Sequence, residues 1–326
     1  MHIDPVVVGF GLGVGTLIGM TGVGAGSLMT PILILVIGVK PITAIGSDLA
    51  YGAITNSVGG WRHWRQRTVD VSLSTWMALG SLPAAIAGVI VLKLLEHGDR
   101  ESIDDTLLIT LGAVLMMCAV AMLARLLLGE ATARERDRVP LTPRLRITAV
   151  ALGLAIGFIV GVTSAGSGSL ITVAMILAFG LAPRQVVGSS VFNSAIVLWA
   201  AALAHVVAGD VDYGLAGTIL IGSVPGVWLG SALSYRVPVG ALRVSLALLI
   251  LGASMALLQK AGAGIPTVAL AAFPLGVGAL FLIAAMRSRN RVTPAELRSL
   301  DRPAAPPMRE TSRTRLAAEI SAGGRD

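Results

Sequence analysis

Two glycine-rich stretches decide the fold: residues 19–27 are Gly-Met-Thr-Gly-Val-Gly-Ala-Gly-Ser, and residues 161–169 are Gly-Val-Thr-Ser-Ala-Gly-Ser-Gly-Ser. Each lies between two apolar stretches of roughly 12 to 16 residues, whereas a helix that spans a bilayer needs about 20. Glycines at this density break a helix and expose backbone amides and carbonyls that lipid cannot satisfy. Such breaks occur at membrane depth only where they are buried in protein or line a wet cavity. We therefore predict two broken helices beside a cavity.

The composition of the whole chain places these stretches in a membrane. Hydrophobic residues make up 55% of the 326 residues, charged residues 13%, and the mean hydropathy is +0.82. A soluble domain carries about 25% charged residues, so this chain has too few to cover a water-exposed surface. Six other runs are long enough to cross a bilayer: Val71–Leu95, Thr106–Leu128, Gln185–Val207, Tyr213–Tyr235, Gly240–Leu258 and Ile265–Met286. The fold class is therefore predicted to be all-α, as a polytopic integral membrane protein.

The chain contains an internal repeat. Residues 15–88 align with residues 157–230 at a constant offset of 142 without gaps, and 24 of the 74 pairs are identical. The identical positions are mostly Gly, Ser, Thr, Pro, His and Asp rather than Leu, Val or Ala. Because such residues are costly or awkward in membrane helices, their agreement indicates a shared architecture.

The repeat and the charges divide the chain into five predicted parts. These are a first transmembrane repeat (1–128), a charged cytoplasmic linker (129–146), a second transmembrane repeat (147–260), a final transmembrane helix (265–286) and a disordered basic cytoplasmic tail (287–326). The linker has five Arg and the tail nine, and short Arg-rich segments face the cytoplasm. We expect a multi-pass protein of the cytoplasmic (inner) cell membrane.

The charged loops predict that the two copies are inverted relative to each other. Residues 61–67 are basic, whereas the equivalent residues 203–209 carry no Lys or Arg. Residues 96–105 hold five acids, whereas residues 236–243 hold two Arg and no acid. Inversion requires an odd number of crossings, and five per copy would place the N-terminus outside. If one short segment is re-entrant instead, the copies become parallel.

The basic tail and the single cysteine limit the expected partners. A basic tail beside a membrane typically contacts anionic lipid, so we expect the lipid bilayer as a partner and no nucleic acid. Cys118 lies inside an apolar run, which leaves no disulfide and no Cys-based metal site. No cofactor and no metal are expected, and the oligomeric state is open.

The glycine-rich stretches also predict a site for a small anionic substrate. The half-helix after each break begins with free N–H groups and a positive dipole end, and nearby hydroxyls, including that of Ser167, add donors. Gly-interrupted segments at equivalent places in two halves indicate a transporter's substrate site. The candidate residues are Thr21, Gly22, Gly24, Gly26, Ser27, Thr163, Ser164, Gly166, Gly168 and Ser169. The alternative is close helix packing through small residues, which we expect for Gly11, Gly15 and Gly19 and for Gly153, Gly157 and Gly161.

A second cluster of candidate substrate-binding residues follows the next turn in each copy. Its members are Ser47, Asp48, Ser189, Ser190 and Asn193, with Tyr51 and Asn56 nearby. Asp48 stands out because a carboxylate inside a membrane segment is costly and is usually functional. The alternative is a helix N-cap at the interface, since Ser47 or Asp48 follows Pro41 closely. The second copy has Ser190 at the position of Asp48.

Two histidines at equivalent positions are candidates for proton coupling. His63 and His205 each precede an Asp by seven residues, namely Asp70 and Asp212. Imidazole gains and loses a proton near physiological pH, so these side chains are suited to carry protons. The alternative is an interfacial anchor, as Trp61 beside His63 suggests. Asp70 and Asp212 precede apolar runs, which predicts helix N-caps.

With these motifs the sequence resembles the TauE/SafE family of sulfite-exporter-like transporters. Members carry a repeated Gly-rich first segment, a GSS- or GTS-like step, a His-x6-Asp junction and a span with Gly and Pro. The matching residues are 19–27 with 161–169, 46–48 with 188–190, His63/Asp70 with His205/Asp212, and Gly80/Pro83 with Gly222/Pro225. The resemblance covers about Val6 to Met286, and Asp48 and the Arg-rich tail depart from it. It implies transport of small sulfur-containing anions such as sulfite or organosulfonates.

The sequence thus predicts a secondary transporter for a small anion. It contains no Gly-x4-Gly-Lys-Ser/Thr phosphate loop, so an ion gradient of H⁺ or Na⁺ is the expected energy source rather than ATP. One alternative is an intramembrane hydrolase that uses Ser167 or Ser169 with His205. The duplication argues against an enzyme, because both halves carry the same residues. A passive anion channel is the third possibility.

Overall fold

The computed structural model describes residues 4–22, 25–96, 100–128, 139–233, 239–264, 272–274 and 276–277. Ten α-helices follow one another in this part of the chain. They are α1 Pro5–Thr21, α2 Met29–Ile32, α3 Pro41–Arg65, α4 Val71–Glu96, α5 Arg100–Leu128, α6 Pro143–Thr163, α7 Ser169–Leu177, α8 Pro183–Ala208, α9 Tyr213–Leu233 and α10 Val239–Lys260. A 3₁₀ turn, Ala25–Ser27, precedes α2, and a π-helical turn, Leu33–Ile37, extends it. Helices α1–α5 come from the first copy and α6–α10 from the second.

Five helices are long and apolar enough to cross a membrane. They comprise Val71–Glu96, Ile103–Ala124, Pro143–Thr163, Pro183–Ala208 and Tyr213–Leu233. Four of them coincide with predicted spans, and the predicted run Gly240–Leu258 lies within α10. The predicted final helix, 265–286, lies outside the described residues apart from 272–274 and 276–277, which are helical. The all-α, multi-pass class is confirmed.

The helix before the second glycine-rich stretch is longer than predicted. Helix α6 has 21 residues and can cross a membrane, so the expected short stretch at this place is wrong. The helix begins at Pro143, within the predicted linker, because the Thr142 hydroxyl accepts the N–H of Leu145 and proline fits the first helical position. After the break, α7 has only nine residues, too few to cross a bilayer core alone.

Each copy packs its first helix against the fourth helix of the other copy, with α1 on α9 and α6 on α4. Glycines allow the backbones to touch. A Cβ added at Gly15 would lie 2.8 Å from the Cα of Ser223, and one at Gly157 would lie 2.6 Å from the Cα of Ser81. The close packing predicted for the glycines upstream of the motifs is therefore confirmed, and it ties the two copies together.

The third helices, α3 and α8, lie side by side and run in opposite directions. Gly46 near the start of α3 approaches Asp210, just beyond the end of α8. Gly188 near the start of α8 approaches Thr68, just beyond the end of α3. These contacts are equivalent at the offset of 142, as an approximate two-fold relation between the two helices would produce. An inverted repeat requires this arrangement, and the direction of each copy across a membrane stays a prediction.

Candidate functional site

The two broken segments meet at the centre of the two-fold arrangement. The hydroxyl oxygens of Ser27 and Ser169, which are equivalent residues, lie 3.2 Å apart and are both buried. The backbone N–H of Gly166 donates to the Ser27 hydroxyl at 3.4 Å. The 3₁₀ turn of the first copy and the N-terminus of α7 are therefore in contact, and a substrate site between them stays a prediction.

Both first helices end on a residue in the left-handed conformation. In the first copy this residue is Gly22, with φ of 71°, and in the second it is Ser164, with φ of 58°. A residue with a Cβ pays about 1–2 kcal/mol for this conformation. Ser164 offsets part of that cost with its hydroxyl, which lies 2.7 Å from the Thr30 hydroxyl in the first copy. Strain kept at a buried polar residue is typical of functional sites.

Helices α3 and α8 contribute one pair of polar residues each, one helical turn apart. Asp48 and Tyr51 of α3 are equivalent to Ser190 and Asn193 of α8, and all four are buried. The Asp48 carboxylate faces the hydroxyls of Thr30, Tyr51 and Ser164. The helix N-cap that was the alternative role for Asp48 is not formed, because α3 begins at Pro41 and Asp48 lies in its second turn.

In the second copy, Ser190 occupies the position equivalent to Asp48, and its side chain is hydrogen-bonded to backbone carbonyls. Its hydroxyl donates to the carbonyl oxygens of Gly22, at 3.2 Å, and Val187, at 3.0 Å. The Asn193 amide donates to the Ser74 carbonyl at 3.3 Å. The two halves of the site therefore differ in charge: Ser190 contacts the end of α1, whereas the Asp48 carboxylate faces the end of α6.

Polar atoms that have no hydrogen-bond partner concentrate around this centre. Nine buried side-chain oxygen atoms of the described residues lack a partner, and six of them belong to Asp48, Tyr51, Ser167, Thr172 and Asn193. Buried polar groups are usually paired, because an unpaired one costs about 1–3 kcal/mol. The hydroxyls of Tyr51, Ser167 and Thr172 can each donate a hydrogen bond. Hydroxyl donors suit an oxyanion, and substrate binding at this centre stays a prediction.

Gly26 keeps the two copies in contact. A Cβ at this position would lie 2.6 Å from the carbonyl carbon of Ser164 and 2.8 Å from Oδ2 of Asp48. Any side chain here would therefore push the first break away from the second. Gly22 has a similar role, since a Cβ there would meet the Ser190 hydroxyl and the Val187 backbone.

Other residues predicted for the glycine-rich stretches lie beside the centre. The hydroxyls of Thr21 and Thr163 donate to carbonyls of their own helices, at Leu17 and Ile159. Gly166 has φ of 86°, Gly168 is the N-cap residue of α7, and Gly24 lies outside the described residues. Their direct contact with a substrate stays a prediction.

The predicted residues Ser47 and Ser189 bind the loop of the opposite copy. The Ser47 hydroxyl accepts the N–H of Asp212, and the Ser189 hydroxyl accepts the N–H of Asp70. The carboxylates of Asp70 and Asp212 in turn accept the N–H groups of Leu73 and Leu215, which confirms their predicted roles as helix N-caps. In the structure these serines hold the two third helices in register.

Both histidines are buried and contact the helix that leads to a break. Nε2 of His63 lies 3.4 Å from the Gly19 carbonyl, and Nε2 of His205 lies 3.1 Å from the Gly161 carbonyl. Their exposed fractions are 2% and 0%, so neither ring lies at a surface as an interfacial anchor would. Proton coupling through these rings stays a prediction.

The surroundings of the two histidines differ in charge. Nδ1 of His63 contacts the Thr68 hydroxyl, whereas Nδ1 of His205 lies 2.8 Å from the carboxylate of Asp210, the residue equivalent to Thr68. Asp210 also pairs with Lys93 of α4 at 2.6 Å. Lys93 of the first copy and Asp210 and His205 of the second therefore form a network that ends on the Gly161 carbonyl of α6.

The serine and histidine residues of the alternative hydrolase do not form a catalytic pair. The two nitrogens of His205 contact Asp210 and Gly161, and the Ser169 hydroxyl contacts Ser27. The Ser167 hydroxyl has no hydrogen-bond partner. A serine nucleophile needs a base within hydrogen-bond reach, and this geometry does not provide one.

Two contributors, Thr30 and Thr172, were absent from the predicted site, and a third, Tyr51, was named only as lying near it. Thr30 and Thr172 are an identical pair in the repeat, so their position at the offset of 142 was the available signal. Tyr51 is equivalent to Asn193, and this pair is recognised only when the two unlike residues are aligned. An apolar groove of about 550 Å³ between α4 and α8 shares no residue with this site.

Comparison with known proteins agrees with this architecture. The family model described as sulfite exporter TauE/SafE matches residues 7–257. The chain is 38% identical over 254 residues to the probable membrane transporter protein YjnA of Bacillus subtilis (strain 168), which covers 77% of this chain and 98% of that protein. It is 27% identical over 246 residues to a probable membrane transporter protein of Xylella fastidiosa (strain 9a5c), covering 72% and 87%. No solved structure matches the chain. The chain is a membrane protein that belongs to the sulfite exporter TauE/SafE family of transporters.

Proposed function

We propose that this protein is a secondary transporter that moves a small sulfur-containing anion, such as sulfite or an organosulfonate, across the cytoplasmic membrane. The observation that carries the proposal is the meeting of the two broken segments at Ser27 and Ser169, among buried hydroxyls that lack partners. The family name supports the substrate class, and the printed names of the relatives support transport.

The chemistry of the centre suits an oxyanion. The N-terminus of α7 supplies a positive dipole end, which favours negative charge. The hydroxyls of Tyr51, Ser167 and Thr172 add donors in a region from which water is largely excluded, where hydrogen bonds to a charged group are strong. A sulfur oxyanion has several acceptor oxygens, so it can use donors from both copies at once.

The two-fold arrangement supports alternating access. Helices α3 and α8 run antiparallel across the axis, as inverted repeats would, and the broken segments lie on the axis. The glycine-packed pairs α1 with α9 and α4 with α6 form two equivalent units on either side. Rocking of one unit against the other would expose the centre to each side of the membrane in turn.

The substrate is tested first by a binding screen on the purified full-length protein. Thermal unfolding is measured in detergent with sulfite, sulfate, thiosulfate, sulfoacetate or taurine, and a bound anion raises the midpoint. Uptake of the stabilising anion is then measured in proteoliposomes. Saturable uptake supports transport, and the absence of any stabilising or transported anion from this class would contradict the proposal.

The site is tested with a matched pair of serine variants. The double change Ser27→Ala and Ser169→Ala removes two central hydroxyls, and hydrogen bonds to charged groups contribute about 1.5–3 kcal/mol each. Uptake at low anion concentration should therefore fall by about tenfold or more. Ser72→Ala, on the exposed face of α4, is the control and should transport normally. Equal uptake by both variants would exclude this centre as the site.

A further inference from the structure

Asp48 is the feature of the site that the second copy does not share. Its side chain is fully buried, its carboxylate oxygens make no hydrogen bond of good geometry, and its polar neighbours are the hydroxyls of Thr30, Tyr51 and Ser164. None of the ion pairs among the described residues includes it. The equivalent residue in the second copy is the neutral Ser190, so the negative charge of an ionised Asp48 would have no counterpart across the axis.

The groups around Asp48 do not neutralise a negative charge. Its neighbours are the hydroxyls of Thr30, Tyr51 and Ser164, of which only the phenol of Tyr51 titrates. The 3₁₀ turn contributes the Gly26 backbone, and α1 contains no titratable residue. A buried carboxylate that faces only neutral hydroxyls and has no cation beside it is costly in a protein interior, and taking up a proton removes that cost.

The titratable groups of the other elements packed on α3 are engaged elsewhere. On α8, His205 contacts Asp210 and Gly161, and Arg184 is exposed in the first turn of the helix. Asp210, which precedes α9 and lies beside Gly46 of α3, is already paired with Lys93 and His205. On α5, the thiol of Cys118 lies beside Ser169. In the part of the chain that the structure describes, no Lys or Arg side chain is paired with Asp48.

We infer that Asp48 is the coupling group of the transporter: it binds a proton on one side of the membrane, and the anion enters the site only together with that proton. This inference rests on the proposed transport of an anion. The step is a simple acid–base equilibrium, in which the carboxylate takes a proton from water on the loading side. The carboxylic acid returns the proton to water on the other side.

Electrostatics explains why the proton and the anion travel together. An ionised Asp48 would repel an anion held among the hydroxyls of the same centre, and this repulsion is strong because the interior screens charge poorly. A protonated Asp48 carries no charge and has an O–H that donates a hydrogen bond to the anion. The anion therefore binds to the protonated form, which makes the protein a proton–anion symporter.

The first test measures accumulation in proteoliposomes. Thiosulfate and sulfoacetate are suitable probes, because their charges stay constant over the pH range used and ionic species cross lipid slowly. With the membrane potential clamped at zero and acid outside, coupling to one proton predicts about tenfold accumulation per pH unit for the wild-type protein. Asp48→Asn keeps a neutral donor but cannot release a proton, so it should equilibrate the anion without accumulating it.

Two further variants keep this test decisive. Asp48→Glu retains an ionisable group and should restore accumulation, whereas Asp48→Ser reproduces the second copy and should show none. Accumulation by Asp48→Asn equal to that of the wild type would overturn the inference. Accumulation by the wild type in response to a sodium gradient, but not to a pH gradient, would also overturn it.

The second test needs no substrate. Infrared difference spectra of the full-length protein between acid and alkaline pH should contain a carbonyl stretch of a protonated carboxyl group that is lost in Asp48→Asn. Absence of this signal from the wild-type protein would refute the protonation of Asp48 even if the protein transports anions. A clear signal combined with no transport of any tested anion would instead refute the proposed function and leave the protonation standing.

Discussion

Substitution of Gly26 by alanine tests whether close contact between the two breaks is needed for transport. The new Cβ would lie 2.6 Å from the carbonyl carbon of Ser164 and 2.8 Å from Oδ2 of Asp48. Favourable separations are about 3.5–4.0 Å, so the two breaks must move apart by about 1 Å. Overpacking of this kind costs about 1–3 kcal/mol of stability. Gly26 does not have a positive φ, so this cost comes from space alone.

The matched control is Gly13→Ala, because Gly13 lies in α1 with nothing within 4 Å of an added Cβ. Alanine is favoured over glycine in a helix by up to about 1 kcal/mol, so this variant should be slightly more stable than the wild type. Thermal unfolding in detergent gives the stability of each variant. The same measurement with the stabilising anion gives the increase in unfolding midpoint that the anion causes. Gly26→Ala should unfold earlier and respond less to the anion. If it matched Gly13→Ala in both measurements, the contact between the breaks would not be needed and our reading of the site would be wrong.

Three other changes test separate parts of the structure. Ser164→Gly should leave thermal stability nearly unchanged, because the relief of about 1–2 kcal/mol of left-handed strain offsets the lost hydrogen bond of about 1 kcal/mol. The same variant should be stabilised less by the anion, because the hydroxyl is lost from the site. An unaltered response to the anion would show that the Ser164 hydroxyl is not part of the site. Gly157→Ala should destabilise the protein by about 1–3 kcal/mol, because its Cβ would lie 2.6 Å from the Cα of Ser81. The loss of folded protein on heating measures this effect. Lys93→Met removes the ion pairs with Asp210 and Glu96 and should cost about 1–2 kcal/mol. Stability equal to that of the wild type would show that these two ion pairs contribute nothing.

The repeat offset carried most of the structural information in the sequence. Gly15 with Gly157, Ser47 with Ser189 and His63 with His205 make equivalent contacts at an offset of 142 residues. A repeat with a constant offset predicts which residues of the two copies have equivalent positions, because the same side chains in the same local structure make the same kind of contact.

The partners themselves could not be predicted, because they come from tertiary packing. No local pattern indicates that Ser164 meets Thr30, or that Ser27 and Ser169 face each other across an axis. The length of α6 was missed for a different reason: hydropathy counted only its apolar part, whereas Thr142 and Pro143 start the helix in charged sequence.

The exchanged packing of the first helices has a consequence for synthesis. Helix α1 finds its partner only after the ribosome has made α9, which ends at Leu233. At about 5–20 residues per second, α1 must wait in the membrane for a time on the order of tens of seconds. During that time its row of glycines faces lipid or the insertion machinery, and the first copy alone cannot complete its own packing. Halves of the chain expressed separately should therefore be degraded singly and accumulate only when they are produced together.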